Sequence, residues 1–278
     1  MFTLTELEDA ARIVHAHMSP TPQYAWPALS QRLGCEVWVK HENHGPTGAF
    51  KVRGGITLVD WLTRARPDAK GVITATRGNH GQSQARAAAA AGLRAVVYVP
   101  HGNSPEKNAA MRAFGADLRE AGSDFDEARE AALAAAEAEG LFFVPPFRPE
   151  LVRGVASYAL EFFSAAPLLD TVYVPIGCGS GICGVIAARD ALGLSTKVVG
   201  VVSDGAQTAK LSAEAGRPIA TNEAVTFADG VAVRVPVPEA LAIYGPGAER
   251  IVTVTDAQVA QAIRVYFEDT HNLAEGAG

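Results

Sequence analysis

The sequence predicts an α/β protein of the doubly wound kind, and three observations predict it. Short apolar runs alternate with longer helical stretches from residue 35 to residue 255. Most of those runs lack in/out alternation, as strands of a parallel sheet do when helices cover both faces. Many helical stretches end at a glycine, the usual residue just past a helix C-terminus. Right-handed crossovers then connect the strands.

In chain order, the first element is a helix in MFTLTELEDAARIVHAHM, where Thr3 and Glu6 have the spacing of a capping box. The same stretch has no basic start and no apolar h-region, so it does not read as a signal peptide. Strands are predicted at 35–40 (CEVWVK), 71–76, 94–100, 141–145, 171–176, 197–203 and 250–255. Between them lie helical stretches such as QSQARAAAAAG, SPEKNAAMRAFG, DFDEAREAALAAAEAEG and SGICGVIAARDALG. The alanine runs at 87–91 and 131–136 read as close-packed helix, since alanine has the highest helix propensity. Pro145-Pro146 is the sharpest punctuation and marks a crossing between domains.

Composition excludes several classes. Net charge is −6, from 24 Lys and Arg against 30 Asp and Glu, with no basic block for a nucleic-acid partner to neutralise. No apolar stretch approaches a membrane span. The three cysteines, Cys35, Cys178 and Cys183, make neither a disulfide framework nor a zinc site. The chain reads as cytoplasmic, with reduced thiols.

Three stretches carry chemistry. In VPIGCGSGICG, Gly179, Gly181 and Gly184 satisfy G-x-G-x-x-G between a strand and a helix, and Asp204 follows at the distance of a dinucleotide fingerprint. Backbone N–H groups at such a helix start attract any phosphate, dinucleotide or monoester. The loop lacks the Gly-Lys-Ser/Thr of a Walker motif and the flanking glycines of a nucleophile elbow. In KHENHGPTGAFKVRGG, Lys51 begins a helix among Ala49, Phe50 and Val52. The positive end of the helix dipole favours its neutral amine, the form a Schiff-base lysine needs. In TATRGNHGQS, a buried strand leads to Thr76, Arg77, Gly78, Asn79 and His80. This is either a plain turn with Asn79 as helix cap or an anion site. His41 and His44 form H-x-x-H without a third ligand at metal spacing.

Together with ADGVAV (228–233) and HNLAEGAG (271–278), these motifs resemble, in order and spacing, the fold-type II pyridoxal phosphate enzymes, most closely their serine/threonine dehydratase branch. The resemblance spans essentially the whole chain. It implies a two-domain fold, each domain a mostly parallel twisted sheet flanked by helices. Residues 1–67 and 141–278 would form the large cofactor domain and 68–140 a small mobile one. It implies pyridoxal 5'-phosphate as cofactor, with Lys51 as catalytic lysine and Schiff-base partner. Phe50 and Gly230 would flank the ring, Asn79 would bond its 3' oxygen, and Gly177, Cys178, Gly179, Ser180 and Gly181 would hold the phosphate. Thr76, Arg77, Gly78 and His80 would take the substrate carboxylate.

The implied reaction is dehydration and deamination of L-threonine or L-serine to a 2-oxo acid and ammonia. Four alternatives stay open: 3-hydroxyaspartate ammonia-lyase, a β-replacement enzyme, a dinucleotide oxidoreductase and an incompetent fragment. Racemising relatives carry a serine where Arg77 stands, and a permanently charged arginine argues against racemisation. Relatives usually carry serine at Ala49 and glycines at Cys178 and Ser180. Some bind a divalent cation after the strand at 197–203, where only Asp204 is acidic, so no metal is expected there. The sequence stops at EGAG, where relatives continue with a helix and a strand that faces the pyridine nitrogen. A small amino acid is the expected partner, and a homodimer is implied by analogy alone.

Overall fold

A computed structural model describes residues 1–278. The chain opens with α1 (Leu4–His15), β1 (Gln23–Ala25), α2 (Pro27–Leu33), β2 (Trp38–Lys40) and a 3-10 turn at Glu42–His44. There follow α3 (Lys51–Ala65), β3 (Gly71–Ala75), α4 (Asn79–Ala90), β4 (Arg94–Val99), α5 (Pro105–Ala113) and β5 (Asp117–Glu120). Next come α6 (Phe125–Glu139), β6 (Phe142–Phe143), α7 (Pro149–Ala165), β7 (Thr171–Pro175), α8 (Ser180–Ala191) and β8 (Lys197–Ser203). The chain closes with α9 (Thr208–Ala215), a 3-10 turn at Asp229–Val231, α10 (Pro238–Gly247), β9 (Arg250–Val254) and α11 (Asp256–Thr270).

Two parallel sheets carry the architecture. One has the order β5-β4-β3-β6 and the other β7-β8-β9. In β3 every residue is buried: Val72 packs with Leu58, Leu62 and Ala85 on one side, and Ile73 with Ala128, Ala132 and Leu141 on the other. That two-sided burial is why this strand shows no alternation in the sequence. Around the second sheet, Val152, Ile176, Ile182 and Val198 belong to the largest apolar cluster, which fills the space between α7, α8 and β8. No helix is long and apolar enough to cross a membrane.

Three details differ from the sequence reading. A short antiparallel pair, Gln23 opposite Lys40 through Ala25 opposite Trp38, adds β1, which the sequence does not signal, and trims the strand at 35–40 to its last three residues. DLRE forms β5, an edge strand paired only with β4, and its polar composition hides it. The cap of α4 is Gly78, not Asn79, which lies inside the first turn. The capping box of α1 forms as the spacing predicts, with the Thr3 hydroxyl accepting from Glu6 N–H and the Glu6 carboxylate accepting from Thr3 N–H.

Candidate active site

Lys51 opens α3, and the position of that helix is fixed from two sides. Ser83 on α4 donates its hydroxyl to the Lys51 carbonyl at 2.6 Å. A Cβ on Gly55 would stand 2.3 Å from that hydroxyl, so only glycine lets the two helices meet. On the opposite side, a Cβ on Gly154 of α7 would stand 2.3 Å from the Arg53 carbonyl. Arg53 itself is fully buried and bridges two carboxylates, with Nε donating to Glu42 at 2.7 Å and Nη1 to Glu161 at 2.6 Å. Lys40 donates to the same Glu161 at 2.5 Å, and these cations hold its carboxyl down at about 2 despite its burial. The H-x-x-H histidines have other work: His41 accepts from the Trp26 indole at 2.9 Å, and His44 bonds the Asn272 amide oxygen at 2.6 Å.

The half-buried Lys51 forms no ion pair, and its amine stands 4.9 Å from the centre of the Phe50 ring. Burial lowers its pKa, which favours the neutral amine; Cys178 and Glu275 pull the other way. Cys178, in turn, is pushed up by burial and is a thiol rather than a thiolate nucleophile.

After β7 the chain turns through Gly177 and Cys178 into Gly179, which caps α8 with φ at +97°, a conformation that favours glycine. No side chain caps this helix, so its leading N–H groups face the turn. A Cβ on Gly177 would sit 2.2 Å from the Gly230 carbonyl, which places the Asp229–Val231 turn directly against the glycine turn. A Cβ on Gly181 would lie 3.2 Å from the Phe50 ring, so the start of α8 abuts the start of α3. Tyr158 backs both, its ring 5.8 Å from that of Phe50 and its hydroxyl 3.4 Å from the Gly181 carbonyl.

The third wall is the turn before α4. Thr76 Oγ1 accepts from Gly78 N–H at 3.0 Å and so shapes the turn itself. His80 is buried, its Nε2 has no partner, and its pKa is pushed down to about 3 by burial and by the charge of Lys51. The Asn79 amide donates to Glu275, whose carboxylate lies near Gly230. Arg77, in the same turn, is exposed and forms no salt bridge, and its charge adds to the Glu127 N–H bond in holding the Asp124 carboxyl below the usual range.

The structure therefore brings Lys51, Phe50, His80, Asn79, Gly230 and the turn at 177–181 to one place. Sequence reasoning missed Glu275, Lys107 and Asp229, which join there. Glu275 lies inside HNLAEGAG, a motif used for the resemblance without a role for its acid. Lys107 carries no local signal, because only the fold brings α5 to the turn at 229–231. The set suits pyridoxal phosphate: an amine whose burial favours its neutral form for an aldehyde, a side-chain-free cradle at a helix start for a phosphate monoester, and an orphaned imidazole nitrogen beside the amine.

Residues 14–278 match the family described as pyridoxal-phosphate dependent enzyme. Among relatives, the chain is 34% identical over 259 residues to the biosynthetic L-threonine dehydratase of Pasteurella multocida, covering 93% of this chain and 50% of that one. It is 36% identical over 251 residues to the L-threonine ammonia-lyase of Geobacter sulfurreducens, covering 90% of this chain and 62% of that one. The chain thus spans between half and two thirds of the length of these relatives. The crystal structure of the T.th. threonine deaminase superposes with a TM-score of 0.92 at 30% identity, covering 99% of this chain and 90% of that one. The dinucleotide reading of the glycine turn is thereby overturned. The chain belongs to the pyridoxal-phosphate dependent enzyme family, with the fold of the threonine deaminases.

Proposed function

We propose that this protein removes ammonia from a β-hydroxy amino acid, L-threonine or L-serine, to leave a 2-oxo acid. The observation that carries the reading is one buried amine without an acidic partner, Lys51, set between a glycine turn at a helix start and the Asn79–Glu275 pair. Relatives named L-threonine ammonia-lyase and threonine deaminase supply the substrate class.

In this reading Lys51 would hold the cofactor aldehyde, the backbone of 177–181 and the Ser180 hydroxyl would take its phosphate, and Asn79 would face the ring oxygen. Phe50 and Gly230 would bound the two ring faces. When bound, the cofactor supplies the electron sink for the pair left at the substrate Cα. Lys51, freed when the substrate amine takes its place and favoured in its neutral form by burial, takes the Cα proton as general base. The β-hydroxyl then leaves as water with the proton that Lys51 took from Cα, and the released enamine tautomerises and is hydrolysed by water to ammonia and the 2-oxo acid. The turn at Thr76–His80 offers the Asn79 and His80 N–H groups, which no side chain caps at the start of α4, to the substrate carboxylate. His80 stays uncharged, so it serves as a hydrogen-bond partner there rather than as a cation. Closure of 68–140 over the cleft would exclude water during the reaction. A second reading, a substrate with two carboxylates such as 3-hydroxyaspartate, is favoured by one observation: Arg77 is exposed and unpaired beside this turn.

Borohydride reduction of the protein in pyridoxal phosphate, followed by peptide mapping, tests the site. An adduct on Lys51 supports it, and labelling elsewhere alone overturns it. A screen for 2-oxo acid from L-threonine, L-serine and 3-hydroxyaspartate then separates the substrates.

A further inference from the structure

One cation touches three walls of the cleft. Lys107 on α5 donates to Asp229 at 3.0 Å and lies 3.3 Å from Glu275. Its aliphatic stem covers Gly78, where a Cβ would stand 2.6 Å from the Lys107 Cδ. Asp229 is the neighbour of Gly230, and Glu275 accepts from the Asn79 amide. The turn before α4, the turn at 229–231 and the Asn79 side chain are therefore all referred to a single ammonium. The side chain of Lys107 is only 21% exposed, so its two ion pairs are less screened than pairs on the open surface.

We propose that Lys107 is a positioning residue of this site, setting the gap between Asn79 and Gly230 and countering part of the Glu275 charge that stands near Lys51. The inference rests on the cofactor reading given above for its chemistry, but its geometry is independent of it. The titratable groups facing Lys51 are Cys178 from the turn before α8, His80 from α4, and Glu275. Those facing Lys107 are Asp229 and Glu275. Without the ammonium, two carboxylates stand unneutralised at the edge of the cleft. Their repulsion opens the gap, and the bare charge of Glu275 makes protonated Lys51 more stable.

The test compares the full chain with Lys107→Met, Lys107→Arg and the double variant Lys107→Met with Glu275→Gln. The first readout is the pH dependence of Lys51 modification by an amine reagent, followed by mass spectrometry in cofactor-free protein. The second is hydrogen exchange at 76–80 and 229–231. The third is retention of pyridoxal phosphate during dialysis. Lys107→Met is expected to raise the Lys51 titration midpoint by about half a unit or more, to speed exchange at both turns, and to lose cofactor faster. Lys107→Arg is expected to restore all three readouts in large part, and adding Glu275→Gln to return the midpoint toward that of the parent chain. If Lys107→Met folds and leaves the midpoint and the exchange unchanged, the proposal is wrong. A variant that fails to fold passes the decision to Glu275→Gln alone, which must lower the midpoint. If the parent chain never takes up pyridoxal phosphate, the proposed function falls, and the first two readouts still decide the role of Lys107.

Discussion

His80 sits beside Lys51 with its pKa pushed down to about 3, against about 6.5 for a free imidazole. Between those two values the unfolded chain binds a proton at His80 that the folded chain refuses. Stability therefore falls as pH drops below about 6.5, with the loss growing until the folded value is reached. Urea midpoints measured from pH 7.5 down to pH 5 should decline more steeply for the parent chain than for His80→Leu. Proton-linked NMR of the His80 ring should show a neutral imidazole throughout that range. Arg77 gives a different expectation. Always protonated, it is a poor acid or base for a second face of the substrate. Incubation with L-serine should leave D-serine at the baseline of a chiral assay while 2-oxo acid accumulates.

The element that matters most is α3, because its first residue is Lys51 and its third is Arg53. Replacing Arg53 with Met leaves Glu42 without its cation and Glu161 with Lys40 and His15 only, and breaking a buried pair this way costs about 3–5 kcal/mol. Chemical denaturation should show a midpoint lowered accordingly. The Lys51 adduct should then form more slowly in the fraction that remains folded. Acid acts on the same cluster: the Glu161 carboxyl titrates at about 2 when folded and near 4.3 when free, so its contribution is present above the free value and is lost as pH falls below it. A single methyl at Gly154 meets Thr57 Oγ1 at 2.2 Å and the Arg53 carbonyl at 2.3 Å. Gly154→Ala should cost about 1–3 kcal/mol, read as a drop in thermal midpoint. Legibility in the sequence also varied at this scale. Strands with two buried faces, such as β3 and β8, announced themselves by unbroken apolar runs. The edge strand DLRE did not, because its polar, partly exposed residues leave no apolar run to read. Lys51 was legible from its apolar neighbours and its place at a helix start. Asn79 was legible as a special residue, but its partner was not. Glu275 lies 196 positions away, and no local pattern encodes that meeting.

Across the whole molecule, the stretch from β3 to α6 meets the turn at 229–234 through charge. Lys107 holds Asp229, and Arg234 pairs with Asp126 and, at 3.7 Å, with Asp124. The Arg234 pairs are the more exposed of these and weaken with salt. Hydrogen exchange at 122–128 and at 229–234 should accelerate together in roughly 0.5 M NaCl, where the Debye length is near 4 Å. Arg234→Ala should reproduce the acceleration at low salt. The two sheets were legible as α/β from alternation alone, but which ion pairs join them was not, since each pair links residues more than a hundred positions apart.

The contacts of α3 with α4 and α7 have a consequence for how this scaffold can change. Where helices meet through Gly55 and Gly154, backbone lies against backbone, and almost every substitution adds atoms where there is no room. The reactive amine is thus anchored in a part of the molecule nearly closed to variation. The turns between 221 and 237, exposed in part and held by the ion pairs of Asp229 and Arg234, have more room for replacement. A library that seeks a new substrate should therefore find its gains in those turns, and lose nearly every member altered along α3.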